Sequence, residues 1–261
     1  MLQIRFYYLI KIQYLGFRLH GWQRQPNFKT VEGLIKKTLK FVLPGQKTKI
    51  LGSSRTDAMV SANESAFELF LYEKPLEDLI IFLEDFNRNL PPDITALAIE
   101  EVDQTFNIIQ HPKNKEYLYL FSFGKKNHPF CAPLMAGFQE NLDIELMKQG
   151  AAIFKGEHSF HNYCVDITAQ TRLKRTILNC VVEENNIYTA NFFPLKSYVL
   201  KVEGAGFLRY QVRLMMGALV QLGKGELKLD DLRSSLLAGT KMPMNYIAPA
   251  SGLILNRIDF Q

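Results

Sequence analysis

Apolar positions recur along this chain with a period near two in some segments and near 3.6 in others, and the two kinds of segment alternate. Residues 2–14 read as a strand. Residues 31–43 (VEGLIKKTLKFVL) place Val31, Leu34, Ile35 and Val42 at helical spacing, behind Thr30 as an N-cap. Residues 48–53 and 65–72 (SAFELFLY) read as strands. The segment PLEDLIIFLEDFNRNL predicts a helix with Pro75 at its N-terminus, acids in its first turn and a stop before Pro91 and Pro92. Residues 94–102 return as a strand, so the order is β-α-β-β-α-β.

The second half approximates the same order. Residues 115–123 (KEYLYLFSF) predict a strand and 142–154 a helix. Residues 174–183 and 197–203 predict strands, with a short ladder near 187–193. A helix over 207–222 and a smaller one near 229–238 precede a closing strand at 252–260 (GLILNRIDF). Two split βαβ units predict an α+β fold: two ferredoxin-like, RRM-like domains whose antiparallel sheets meet at a central cleft. The expected joint lies near 104–112, around Asn107 and Pro112, giving domains 1–106 and 107–261. A chain of 261 residues suits two compact domains.

Composition narrows the class. With 47% hydrophobic and 22% charged residues, the chain has the apolar material for a sizeable core, which excludes disorder. Cys131, Cys164 and Cys180 form no CxxC and no disulfide framework, and free thiols fit a reducing cytoplasm. The N-terminal apolar stretch is broken by Arg5 and closed by Lys11, and no small-residue cleavage site comes after it. It therefore reads as a strand, not a signal peptide. No run approaches the roughly 20 apolar residues of a membrane span.

Net charge is only +5, but its distribution is uneven. Residues 1–60 carry eleven Lys/Arg against two acids, residues 61–110 two against eleven, and residues 111–261 eighteen against thirteen. A basic block suits a polyanion such as nucleic acid. The plainer alternative is that Lys36, Lys37 and Lys40 form the solvated face of a helix.

Five segments carry candidate chemistry. Gly52-Ser53-Ser54-Arg55-Thr56-Asp57-Ala58 ends an apolar strand. Its small residues admit close approach of another chain, and Arg55 near Asp57 favours an ionised carboxylate that can serve as nucleophile or base. A plain turn capped by Asp57 is the competing reading. Gly21-Trp22-Gln23-Arg24-Gln25-Pro26 holds the only Trp beside amides and a guanidinium. Such groups stack on bases and reach phosphates, although a loop anchored by a packed Trp is the alternative. Gly204-Ala205-Gly206-Phe207-Leu208-Arg209-Tyr210-Gln211-Val212-Arg213 joins a strand to a helix. Arg209 and Arg213 lie one turn apart there and suit an anion. Tyr117 and Tyr119 alternate onto one strand face, where a tyrosine packs in the core or stacks on a base. His158, His161 and Cys164 have spacing compatible with zinc but lack a fourth ligand.

In order along the chain, these segments resemble the TruA family of pseudouridine synthases. The opening motif is similar to Gly21–Pro26 with Thr30-Val31-Glu32-Gly33 after it. The active-site motif G-R-T-D-A-G-V-H-A resembles the stretch that begins Ser54-Arg55-Thr56-Asp57-Ala58. A Y-x-Y strand matches Tyr117–Tyr119, and F-x-G-x-H-D-F resembles the segment at Lys155–Phe160. The helix start G-F-L-R-x-M-V-R resembles Gly206–Arg213, and A-P-A-x-G-L resembles Ala248–Leu253. This chain departs from the pattern at Ser54, Met59, Ser61 and Ser159, where the family usually has Gly, Gly, His and Asp.

The resemblance implies Asp57 as the catalytic aspartate and Arg55 as its motif partner. It implies Tyr117 as the cleft tyrosine and Arg213 as the arginine that pairs with the aspartate. Trp22, Gln23, Arg24, Gln25, Arg209, Tyr119 and Phe207 are expected to contact substrate. It further implies tRNA as partner, uridines 38–40 of the anticodon arm as targets, no cofactor, no metal and a cytoplasmic homodimer. A non-catalytic RNA-binding module is the alternative from another class. The RNP aromatic signature of common RNA-binding domains is absent, and a pure binder has no need of the Asp57, Arg55 and Arg213 set. A zinc hydrolase using His158 and His161 is the third reading.

Overall fold

A computed structural model describes residues 5–260 of the chain. The first half runs β1 (Arg5–Tyr14), α1 (Val31–Val42), β2 (Thr48–Gly52), β3 (Ser61–Tyr72), α2 (Leu79–Asn89) and β4 (Ile94–Val102). This is the order the apolar pattern predicts; the part of the first strand before Arg5 lies outside the described residues. β1 pairs antiparallel with both β3 and β4, and β2 adds antiparallel to β3. The resulting order is β4-β1-β3-β2. Ile10 and Ile12 of the central strand are fully buried, as are Val31, Ile35 and Leu39 of α1. Phe86 of α2 stacks on Phe82 and reaches Phe67 of β3.

Caps set the helix starts. Thr30 Oγ1 accepts from the Gly33 N–H at 3.3 Å, as its position before α1 predicts. α2 differs from expectation, starting at Leu79 and not at Pro75. The Asp78 carboxylate accepts from the Ile80 and Ile81 amides at 2.8 and 2.9 Å. A carboxylate that captures two free amides outcompetes a proline start, so Glu77 and Asp78 precede the first turn.

The second half runs β5 (Pro112–Phe123), β6 (Ala136–Phe138), α3 (Ile144–Ile153), β7 (Gly156–Ser159), β8 (Lys174–Glu184), β9 (Tyr198–Gly204), α4 (Gln211–Gly223), α5 (Leu229–Ser235) and β10 (Leu253–Phe260). β5 pairs antiparallel with β9, β9 with β8 and β8 with β7, while β6 joins β5 in parallel. β6 and β7 escape the sequence pattern because three or four residues show no period. The ladder expected near 187–193 is a loop. Asn185 Oδ1 accepts from the Ile187 and Tyr188 amides at 3.1 and 3.2 Å, which withdraws the donors a strand needs. α4 begins at Gln211 and not at 207, because Tyr210 takes a left-handed conformation (φ 63°) just before it.

By contacts the chain divides into two compact units. One runs to Lys113 and takes in the chain from Leu255 onward; the other spans Asn114–Ile254. The closing strand, expected in a 107–261 domain, therefore packs mainly with the first unit. Asn63 Nδ2 donates to Asn256 Oδ1 at 2.7 Å, and Phe260 lies 5.9 Å from Phe106. An apolar period announces a strand but not its partner. Among the described residues no helix is long and apolar enough to cross a membrane.

Candidate active site

In the first unit, Asp57 occupies the turn between β2 and β3. That turn is clamped to residues 19–22. The Trp22 N–H donates to Thr56 O at 3.0 Å and the Met59 N–H to Leu19 O at 2.9 Å. The Thr56 and Tyr14 hydroxyls share a buried 2.8 Å hydrogen bond. Gly21 permits the approach: its φ is +81°, and a Cβ there would lie 2.6 Å from Thr56 O. Ser53 fastens the other side, donating from Oγ to Ala66 O at 2.8 Å. Ser53, Ser54 and Thr56 are buried, Asp57 is half-buried and Arg55 is exposed. A fixed backbone thus carries a half-buried carboxylate.

Trp22 departs from expectation. Its ring is 4% exposed, and a Cβ on Gly52 would lie 2.3–2.5 Å from the indole. The indole sits flat against Gly52 and packs the turn, so it offers no face for a base; packing won over stacking. The departures from the family motif also have structural homes. Met59 holds a left-handed φ of 67°, a conformation glycine adopts without cost and other residues reach at about 1–2 kcal/mol. The Ser61 hydroxyl accepts from the buried Gly16 N–H at 2.9 Å.

Burial pushes the Tyr14 phenol up to about 12 from 10, only partly opposed by its bond to Thr56. A raised folded-state pKa means that the protonated phenol's full contribution is present below pH 10 and is lost as pH climbs towards 12. The Tyr14→Phe variant should flatten this part of the stability curve, by about 2–3 kcal/mol at most. Urea unfolding between pH 9 and 12 measures it. Parallel curves for the two proteins would show that the Tyr14 phenol is not buried in the folded protein.

Gln23, Arg24 and Gln25 are exposed ahead of α1. The Arg24 amide donates to Glu32 Oε2 at 2.8 Å, and Gln25 Nε2 donates to His20 O at 3.2 Å. His20 and Phe28 pack with tilted rings, their centres 4.4 Å apart. Arg24, Gln25, Phe28 and Lys29 line a hollow of about 410 Å³. Cations, amides and an exposed ring in one hollow suit a phosphate-linked base.

In the second unit, Tyr117 of β5 is half-buried and meets Phe207 edge-on at 5.1 Å. Lys115 lies two residues earlier on the same face, and burial pushes its ammonium down to about 8. Tyr119 again departs from expectation. It is fully buried and donates its hydroxyl to Pro249 O at 2.8 Å, so it braces the Ala248–Pro249 segment and does not face a substrate. The neighbouring carbonyl, Ala248 O, accepts from Arg213 Nε at 2.8 Å, and the Ala248 amide donates back to Arg213 O at 3.2 Å. Arg213 lies in the first turn of α4, where the helix dipole disfavours a cation, so this carbonyl offsets an unfavourable placement.

Arg209 precedes the helix and does not share a helical face with Arg213. The two guanidiniums instead lie over the Tyr210 ring, 5.3 and 5.0 Å from its centre, and Arg209 also pairs with Asp166.

The zinc alternative loses its ligands. His158 Nε2 meets Lys155 O at 3.0 Å, and His161 is held by Ser159 Oγ at one nitrogen and Thr240 O at the other. Among the described residues no group of three or more His, Cys, Asp or Glu side chains could hold a metal ion.

Sequence reasoning missed the Tyr14–Thr56 lock, the seat for Trp22 on Gly52, Lys115 and the Ala248–Pro249 carbonyls. Gly52, one position after an apolar run, was the available signal for the second.

Comparison with known proteins agrees with the motif order. Residues 151–261, which include α4, Arg213 and the Ala248–Gly252 segment, match a family described as tRNA pseudouridine synthase. The chain is 32% identical over 255 residues to tRNA pseudouridine synthase A 2 of Bacillus cereus, covering 97% of this chain and 99% of the relative. It is 31% identical over 257 residues to tRNA pseudouridine synthase A of Listeria innocua, covering 96% and 97%. With such identity sustained over nearly its whole length, the chain belongs to the tRNA pseudouridine synthase A family of isomerases.

Proposed function

We propose that the protein isomerises uridine to pseudouridine in the anticodon arm of tRNA, at positions 38–40, with Asp57 as the catalytic carboxylate. The observation that carries this reading is the clamped turn. Backbone bonds from Trp22 and Met59, the Tyr14–Thr56 bond and the bare Cα of Gly21 all hold the peptide that bears Asp57. A surface turn with no chemical task has no need of such restraint. It supports catalysis over a non-catalytic binder, which needs charge but not a carboxylate held in place.

The reaction breaks the N1–C1′ bond of uridine, turns the base and forms a C5–C1′ bond. The proton on C5 leaves and N1 gains one, so atoms and electrons balance without a redox partner. Within this reading an ionised Asp57 attacks the ring or the sugar, or takes the C5 proton. Arg55, two residues away in the same turn, favours the charged carboxylate, and the family motif gives Arg213 as its partner arginine. Extruding the target base costs a few kcal/mol. The edge-on pair of Tyr117 and Phe207 provides an aromatic surface that offsets part of it. Gln23, Arg24, Gln25 and Arg209 are exposed and suit the phosphate backbone.

The strand order β4-β1-β3-β2 and the split βαβ sequence of elements support a ferredoxin-like reading of the first unit. The relatives' names give tRNA as the substrate class, and a cytoplasmic location and homodimerisation belong to the same proposal. The direct test maps pseudouridine in tRNA from cells with and without this protein. Loss of pseudouridine at 38–40 is the expected result. An unchanged map, with purified protein that binds tRNA and modifies nothing, would establish the binding module instead.

A further inference from the structure

We propose that the loop after β5, together with the segment between β8 and β9, forms a second tRNA-gripping surface that stacks on Phe130 and holds phosphates with Lys125, Lys126 and Lys196. This rests on the reading of tRNA as substrate and concerns a part of the tRNA remote from the reacting uridine.

The Phe130 ring is 68% exposed, a large apolar face left in water. It is not loose. His128 lies edge-on to it at 4.9 Å and Phe192 at 5.8 Å, and Phe192 in turn meets Phe193 at 5.5 Å. Phe192 and Phe193 pack on the core formed by Leu118, Leu120, Cys131 and Met135. His128 Nδ1 accepts from the Phe130 amide at 3.2 Å, which fixes the turn. A largely exposed ring whose turn is anchored and whose edges are packed is a stacking platform, since every nucleobase offers it a π-face.

Charge selects the partner. Residues 124–135 and 185–197 carry Lys125, Lys126 and Lys196 and no acid, and all three lysines are exposed. The contrast is α2, where exposed Ile80 and Ile81 sit among Glu77, Asp78, Glu84 and Asp85. Apolar exposure among acids repels nucleic acid, whereas apolar exposure among lysines attracts it. A second copy could bring that acidic helix to the lysines. Two different faces would then meet head to tail, an arrangement that propagates unless its rotation closes.

The sheet separates this surface from the candidate chemistry. Leu118 and Leu120 alternate with Tyr117 and Tyr119 along β5, so the core that seats Cys131 and Phe192 lies on the opposite face of the strand from Tyr117. RNA trimmed to the nucleotides around the target uridine does not span both.

The test compares wild type with the Phe130→Ala/Lys125→Glu/Lys126→Glu variant on two RNAs, a full-length tRNA transcript and a short anticodon hairpin. For the full-length tRNA, KM of tritium release and Kd by filter binding should each rise about tenfold or more, with kcat within twofold. The salt slope of log Kd should fall. For the hairpin, nothing should change. Equal KM and Kd for full-length tRNA in both proteins would overturn the proposal, as would a parallel loss on the hairpin. A change in sedimentation of the RNA-free variant would overturn it too, identifying a protein contact. If wild type releases no tritium from either RNA, the proposed activity fails, while the binding comparison still decides for or against this surface.

Discussion

Asp57→Asn should lower tritium release from tRNA labelled at uridine C5 by about 10⁴-fold or more, with tRNA affinity changed by less than about threefold. The amide keeps the size of the carboxylate but has neither its charge nor its basicity, so every role open to Asp57 ends with the substitution. The fold should tolerate it. Asp57 is half-buried, its turn is held by the backbone of Thr56 and Met59, and asparagine is at home in turns. Thermal unfolding of the variant should therefore match wild type within a few degrees. Release at the wild-type rate by a correctly folded Asn variant would remove Asp57 from the chemistry and with it the proposed mechanism.

The second large effect comes from a residue with no chemistry of its own. Gly21→Ala should cost about 2–3 kcal/mol of stability and about a hundredfold in kcat/KM. Two causes add. An alanine at φ +81° is strained, and its Cβ would lie 2.6 Å from Thr56 O and 3.0 Å from the Asp57 carbonyl carbon. Those atoms are backbone, so the turn must move as a unit and carries the carboxylate with it. Gly45→Ala separates the causes, because Gly45 has a φ of +77° and nothing within 4 Å of a built Cβ. It should lose about 1 kcal/mol from strain alone and keep full activity. Equal kcat/KM losses in the two variants, measured beside urea unfolding, would show that the clamp on Asp57 has no bearing on rate.

These effects divide along the line between what local pattern can carry and what it cannot. The element order of the first unit was legible because amphipathic periods and caps act within a few residues: Thr30 caps α1 wherever that helix packs. The Asp57 turn was legible for a similar reason, since small residues after an apolar run mark a turn in any fold. Trp22 and Tyr119 were misread because burial is not a local property. An exposed-looking loop Trp is packed by the one glycine that offers a flat seat, and a strand Tyr is turned into a brace by a carbonyl 130 residues away.

The sequence by itself determined that the chain alternates strands and helices, that it carries a carboxylate in a turn of small residues, and that its motifs keep one family's order. Tertiary structure decided which aromatic rings are braces and which are open surfaces, that β10 packs mainly with the first unit, and that α4 begins at Gln211 behind a left-handed Tyr210. The physical reason is range. Periodicity and capping act between residues three or four apart, whereas burial and strand partnership depend on segments that only folding brings together.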